Sequence, residues 1–407
     1  MSRFPAVTET FILRELVELE RQGIRVEIAP LLREQVATLH PDAAEWDRRA
    51  LHTPFLNRAM LAANLRVLLA APALYLSTFF ALMWEAKASL NAFVGTLGIW
   101  AKSVYNGQRV RERGVTHVHA HFATHPATAA YIMKVVHSPD QQDLPYSLTI
   151  HAHDIFIHAA GLGRKLRNAE FVRCISRFNV DYLLERLPGQ VTEDLFRVIH
   201  CGIEPGRYSH APAGGAPGRD RRARILSIAA LRPYKGLTYL IEAVRRMREQ
   251  GLDVECEVIG DGYLRRSLEQ EIEDKGLLDC FRLVGTKTQE EVAEAFAACD
   301  LFVLPSIVAD DGQMEGIPVS LMESLAAGVP TISTRVSGIP ELVVDGETGF
   351  VVEPEQPDAL VEAVRRVLDD YANAAELARN GSRLVESEFE LSENVRRLAS
   401  EIARCGG

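Results

Sequence analysis

Cysteine is scarce in this chain. Its six cysteines (Cys174, Cys201, Cys256, Cys280, Cys299 and Cys405) are scattered through 407 residues with no CxxC spacing. That argues against a disulfide framework or a cysteine-built zinc site, and fits reduced thiols in a cytoplasmic protein. Positive charge is short as well: 45 Lys and Arg face 55 Asp and Glu, a formal net charge of −10. Nucleic acid is therefore not expected as a main partner, and an anionic ligand has to be held by local amides and a few cations. No GxGxxG run follows any strand-like segment, which argues against a nicotinamide dehydrogenase. Long apolar runs are almost missing. Val67–Trp84 carries no formal charge and is about the shortest stretch that qualifies as a membrane span. Pro72, Ser77 and Thr78 interrupt it, and Arg66 and Glu85 bound it. The first residues do not read as a signal peptide, since Arg14 and Glu15 break the opening apolar stretch.

The stretch EGIPVSLME (Glu315–Glu323) carries the most chemical information. It sets two carboxylates around a Gly, a Pro and a helix start. Pro318 suits the first helical position, where its missing N–H leaves nothing unpaired, and Ile317 is then the N-cap. An isoleucine side chain accepts no hydrogen bond. The amides of Val319 and Ser320 therefore stand uncapped at the positive end of the helix dipole. Gly316 lets another molecule approach the backbone closely. Such amides suit a phosphate group, while Glu315 and Glu323 accept hydrogen bonds from hydroxyls. Phosphate plus polyol describes a nucleotide sugar; a proline-started helix with solvated glutamates is the plain alternative. LFVLPS (Leu301–Ser306) reads as a buried strand, so the motif follows a strand's carboxyl end, where open α/β sheets place ligands.

Taken with Lys235-Gly236 upstream and GIPELVVDGETGF (Gly338–Phe350) downstream, this motif resembles the second domain of retaining GT-B glycosyltransferases of glycosyltransferase family 4 (group 1). In the first half, SRFPAVTETFI, HAHFATHPATAAYIMK and YSLTIHAHDIF resemble bacterial exopolysaccharide enzymes of the colanic acid type. The resemblance implies an α/β protein of GT-B architecture: two Rossmann-like domains facing across a cleft, with a C-terminal helix returning to the first. It also implies a UDP- or GDP-linked sugar as donor substrate, no other cofactor and no bound metal.

The residues themselves support two α/β halves. Strand-like runs (Arg25–Pro30, Thr116–His119, Tyr146–His151, Glu170–Ile175, Arg197–His200) alternate with helical patterns in the first half, which points to a parallel sheet. The Gly- and Pro-rich stretch Glu204–Arg222 is the linker candidate. Regular βα units follow it. The expected division is 1–205 for the first domain, 206–222 for the linker, 223–385 for the second domain and 386–407 for the terminal helix. The chain opens on the helical pattern Glu9–Gln22 without a preceding strand, which suggests that a first strand is missing from its start.

Further candidates lie at strand ends. His119 with His121, and His151 with His153 and Asp154, form two HxH units whose alternate residues share a face. They suit a metal, a hydrogen-bonded core or, by the resemblance, a ligand cleft. The resemblance implies that His151 contacts the sugar or diphosphate and that His121, His153 and Asp154 lie on the acceptor side. In ALRPYKG (Ala230–Gly236), Lys235 offers three donors and a full charge to a diphosphate. The family's usual arginine place holds Ala230, with Arg232 two positions later as a substitute. Gly260 and Gly262 resemble the family's turn beneath the nucleotide, and Asp310-Asp311 reads as a solvated loop.

These readings converge on a glycosyltransferase that moves a hexose from a nucleoside diphosphate sugar to a glycan or lipid-linked acceptor with retention, in exopolysaccharide biosynthesis. Glu315, His151 and Lys235 are the expected catalytic residues. Glu323, Gly316, Ile317, Pro318, Val319, Ser320, Arg232, Gly260 and Gly262 are the expected donor-binding ones. The arginines around the uncharged stretch suit an anionic membrane surface, so peripheral attachment at the inner face of the plasma membrane is expected. The alternatives are a metal-dependent hydrolase using the HxH pairs, or a weakly active nucleotide- or glycan-binding subunit.

Overall fold

The computed structural model describes residues 1–5, 10–34, 41–54, 57–139, 141–156, 160–208 and 221–406. They form two units: Met1–Ile199 with the C-terminal segment from Ser392, and His200–Leu391.

The first unit is built on a parallel sheet of β1 (Val118–His121), β2 (Tyr146–Ile150), β3 (Val172–Cys174) and β4 (Phe196–Val198), in that spatial order. Every residue of β2 is buried, as an inner parallel strand covered on both faces requires. Helix α1 (Thr10–Arg21) buries Ile12, Leu16 and Leu19, and the same stripe carries Glu15 and Glu18 into the interior. Helix α2 (Arg58–Ala70) and helix α3 (Pro72–Ala86) divide the uncharged stretch, meeting at 111°. Pro72 starts the second of them, as its locked φ and missing N–H favour. No single helix among the described residues is long and apolar enough to cross a membrane. Helix α4 (Leu90–Glu112) follows.

The second unit holds six parallel strands: β5 (Ala223–Ile228), β6 (Val254–Ile259), β7 (Phe281–Gly285), β8 (Leu301–Leu304), β9 (Thr331–Thr334) and β10 (Phe350–Val352). Their spatial order is β10-β9-β8-β5-β6-β7. The chain runs outward from β5 to β7, then returns to lay β8 on the other side of β5. The carboxyl ends of β5 and β8 are therefore neighbours whose connections leave in opposite directions, a topological switch point. Helix α5 (Val319–Ala326) begins at that end, and helix α6 (Leu391–Gly406) closes the chain in the first unit.

Three expectations are corrected. Arg25–Pro30 forms no strand: the Ile28 carbonyl accepts from the Leu51 amide at 2.7 Å. The chain start instead pairs Arg3–Phe4 in parallel with Leu32–Arg33. The boundary between units falls at residues 199 and 200 rather than after 205. Ile203 bridges to Glu390, and its amide donates to the Phe389 carbonyl at 2.9 Å, which ties this segment to the second unit. Of the expected linker, residues 209–220 lie outside the described residues.

Candidate active site

The switch point gathers charge. The β5 exit runs through Pro233–Lys235 to Gly236, and the β8 exit through Pro305 to Pro318. The two are joined by the Ile307 amide donating to the Tyr234 carbonyl at 2.9 Å. Gly236 is left-handed, with φ of 65°, and a Cβ there would sit 1.9 Å from the Pro305 carbonyl oxygen. Its glycine is thus demanded by the second connection rather than by a ligand. Across this joint Lys235 and Glu315 form an ion pair, their side chains 12% and 13% exposed. Tyr234 beside them has its phenol pushed up to about 12, first by burial and then by Glu315.

Helix α5 starts one residue later than expected. Pro318, extended at φ −62° and ψ 131°, is the N-cap and gives no side-chain bond. Val319 is the first helical residue, and the Leu321 amide turns back to the Pro318 carbonyl at 3.1 Å. The amides of Val319 and Ser320 keep the uncapped, dipole-positive setting. Ile317 is 6% exposed and packs into the unit's apolar core, so it contributes shape, not an N-cap. Inside the helix Glu323 is 8% exposed and accepts a 2.7 Å hydrogen bond from the Tyr208 hydroxyl. Tyr208 in turn accepts from the Gln289 amide at 3.1 Å. Sequence reasoning missed Tyr208 because it lies in the stretch read as linker.

The other expected donor residues separate. Arg232 is exposed, and its guanidinium stands 4.9 Å from the centre of the Tyr263 ring. A Cβ on Gly260 would lie 1.9 Å from the Ala229 carbonyl oxygen, and one on Gly262 2.5 Å from that of Leu231. Both glycines therefore serve the packing of the β6 exit against the β5 exit.

In the first unit the HxH segments meet at the ends of β1 and β2. His119 bonds both ring nitrogens at 2.7 Å, to the Ser147 and Thr149 hydroxyls. His121 Nδ1 lies 3.1 Å from His151 Nε2, and the His151 ring sits between Phe11 and Phe122 at 4.9 and 4.8 Å. Burial holds the His119 and His151 imidazoles well below their ordinary pKa. Asp154 accepts from the amides of His151, Ala152 and Ala123 at 3.0, 2.8 and 2.7 Å. It folds the strand-end loop, which accounts for its burial without an acceptor. His153 opens the short helix His153–Phe156, and its side chain lies outside the described ones. Glu15, His119 and His121 offer ligand atoms within 4.8 Å of one another. Both His119 nitrogens are already bonded, and the Arg173 guanidinium is paired with Glu15, so a cation there meets a resident positive charge. Neither Glu15 nor Arg173 was singled out from sequence. The signal was present: each is a charge on an otherwise buried stripe or strand.

Two surface hollows of about 250 and 400 Å³ also lie in the first unit, with Arg25, Arg49 and Arg113 in the lining of one and Arg197, Arg396 and Arg404 in that of the other. Neither includes a residue of the switch point.

Fold and sequence now meet known proteins. The fold is that of GT-B glycosyltransferases: a glycosyltransferase from Rickettsia africae superimposes with a TM-score of 0.70 at 17% identity, covering 99% of this chain and 97% of its own. Anabaena HepE, solved with UDP and glucose, gives 0.68 at 17% identity, over 98% and 96%. Residues 216–384 match the family of glycosyl transferases group 1, so the second unit carries a domain of that group. The amylovoran biosynthesis glycosyltransferase AmsK of Erwinia amylovora is 37% identical over 51% of this chain and 50% of its own length. WcaL of Escherichia coli, named for colanic acid biosynthesis, is 36% identical over 50% of each. The chain thus spans about half the length of these relatives. The alpha-D-kanosaminyltransferase of Streptomyces kanamyceticus is 26% identical over 77% of this chain and 84% of its own. None of these similarities supports the hydrolase alternative.

Proposed function

We propose that this protein is a glycosyltransferase of exopolysaccharide biosynthesis. It transfers a hexose, with retention, from a nucleoside diphosphate sugar to a glycan or lipid-linked acceptor. One observation carries the reading: at the switch point of a GT-B nucleotide domain, an ion-paired lysine and glutamate stand with an uncapped helix start. Without ligand, Lys235 and Glu315 neutralise one another. An incoming diphosphate competes for Lys235 and the α5 amides, while sugar hydroxyls replace the ammonium at Glu315. The pair thus exchanges one internal contact for two ligand contacts, and Lys235 then stabilises the departing diphosphate. Glu323, oriented by Tyr208, accepts from ribose hydroxyls. By the family resemblance of its motif, His151 is assigned to the sugar.

The same reading sets the enzyme on a membrane surface. Among the described residues, eleven of the seventeen exposed large hydrophobic side chains fall between Leu61 and Leu97, on α2, α3 and α4. Arg58, Arg66 and Lys87 are exposed among them, while the one acid of that stretch, Glu85, is turned to Arg164 at 2.9 Å. An apolar, cationic face on an acidic protein suits anionic lipid.

A thermal-shift series with UDP, GDP, UDP-glucose and GDP-mannose tests the donor assignment. A ligand at a hundred times its Kd adds about 2.7 kcal/mol, which raises the melting temperature of a domain this size by roughly 5–10 °C. No shift with any of the four at millimolar concentration would remove the assignment.

A further inference from the structure

The buried charge beneath His151 has no part in the function above. Glu15 on α1 and Arg173 on β3 are 5% and 1% exposed, and their side chains form an ion pair. Arg173 also donates to the Ile199 carbonyl at 2.9 Å. Burial would raise the Glu15 pKa, yet the group is held well below its usual range, the Arg173 guanidinium being the largest of the effects that lower it. The carboxylate is therefore ionised, and one of its oxygens, Oε2, is taken by Arg173. The other, Oε1, makes no well-aligned hydrogen bond among the described residues; His121 Nε2 faces it at 3.3 Å.

A buried anion fixes the polarity of whatever stands beside it. Facing a carboxylate, His121 Nε2 carries the proton. Its Nδ1 then holds the lone pair and accepts from His151 Nε2–H, the atom 3.1 Å away. His151 consequently holds its own lone pair on Nδ1. We propose that Glu15 is a positioning residue: through His121 it sets the tautomer of His151, making Nδ1 an acceptor for a substrate hydroxyl. The assignment of that hydroxyl rests on the glycosyltransferase reading; the tautomers do not.

The polarity can be reversed by one atom. In Glu15→Gln the side-chain oxygen stays on Arg173, which can only donate, and the amide NH₂ faces His121 Nε2. That nitrogen must then accept, His121 Nδ1–H donates to His151 Nε2, and His151 carries its proton on Nδ1. A merely structural carboxylate has no reason to produce this double flip.

Long-range ¹H–¹⁵N spectra of the imidazoles in the intact chain decide the matter, with His121→Asn and His151→Asn used for assignment. The wild type should show both rings as neutral Nε2–H tautomers, and Glu15→Gln should convert both to Nδ1–H. An Nδ1–H tautomer, or an imidazolium at His121, in the wild type overturns the proposal even if the variant fails to fold. The functional arm uses UDP-glucose or GDP-mannose, whichever raises the wild-type melting temperature. Glu15→Gln should weaken that sugar nucleotide about tenfold or more while leaving the bare nucleotide within twofold. Flipped tautomers with an unchanged ratio would overturn the positioning role. Were neither nucleotide sugar to bind the wild type, the donor reading would fall while the tautomers still judged the relay.

Discussion

Lys235 and Glu315 hold opposite charges in a half-buried setting, so removing either leaves its partner uncompensated. The two deletions should nevertheless differ. Lys235→Ala removes the cation meant for the diphosphate. It should weaken UDP or GDP by about 2 kcal/mol, close to thirtyfold, as expected for hydrogen bonds to a charged group. Glu315→Ala frees the lysine and removes only the acceptor for sugar hydroxyls. Affinity for the bare nucleotide should hold or rise, while the preference for the sugar nucleotide over the nucleotide disappears. Isothermal titration with UDP and UDP-glucose, or the guanosine pair, separates the two, and equal losses for both ligands in Glu315→Ala would refute its assignment. Sequence made this pair legible because each residue sits beside a Gly or Pro signal at a strand exit. Tyr208 was not legible. Its hydrogen bond to Glu323 joins residues 115 positions apart across a Gly- and Pro-rich stretch, and no local pattern encodes such a contact. Glu15 and Arg173 each showed as a charge on a buried stripe or strand, but their meeting with His121 was not legible, because three separate elements bring the three together.

Elements followed their patterns closely where burial enforced a period. The second unit shows the regular βα units expected of it because each alternates a buried strand with an amphipathic helix. The α5 start shifted by one residue, since Pro318 tolerates both the cap and the first helical position. Arg25–Pro30 failed as a strand because its apolar content finds cover without a ladder, Ile28 being buried in a cluster with Phe4, Ile12 and Trp46. The uncharged stretch turned into two helices because Pro72 both ends one and starts the next. Their outer faces carry a further prediction. Leu69 and Trp84 are 74% and 70% exposed, and Lys87 caps the Trp84 ring at 3.0 Å. Each side chain entering an acyl boundary is worth about 1.5–3 kcal/mol. The double variant Leu69→Ser, Trp84→Ser should therefore bind phosphatidylglycerol vesicles at least about tenfold more weakly, with its melting temperature nearly unchanged. Sedimentation with anionic and neutral vesicles reads this; undiminished binding to the anionic ones would rule out this face as the contact.

For the whole molecule, the histidines are unevenly placed. Nine of the twelve lie between His52 and His158, and His200 and His210 are the two that fall in the second unit. Burial lowers His117 to about 4 and holds His119 and His151 well below their ordinary 6.5. The sign follows directly. Below pH 6.5 the unfolded chain takes up protons that the folded unit refuses, so acid favours unfolding. Each such group removes up to about 1.4 kcal/mol per pH unit. For His117 this loss begins near pH 6.5 and is complete below about 4. Glu15 acts in the same direction further down: its carboxylate, held ionised by Arg173, contributes stability above pH 4.5 that is lost as acid protonates it. Stability of the first unit should therefore fall steadily from pH 6.5 to 4, while the second unit, which has no buried imidazole among the described residues, changes less over that range. Hydrogen exchange followed by mass spectrometry at pH 6.5, 5.5 and 4.5, corrected for intrinsic rates, resolves the units within one sample. Peptides from Val118–His121 and Tyr146–Ile150 should lose protection before those from Leu301–Leu304 and Thr331–Thr334. Simultaneous loss, or earlier loss in the second unit, would mean that these imidazoles are not the groups that govern acid stability.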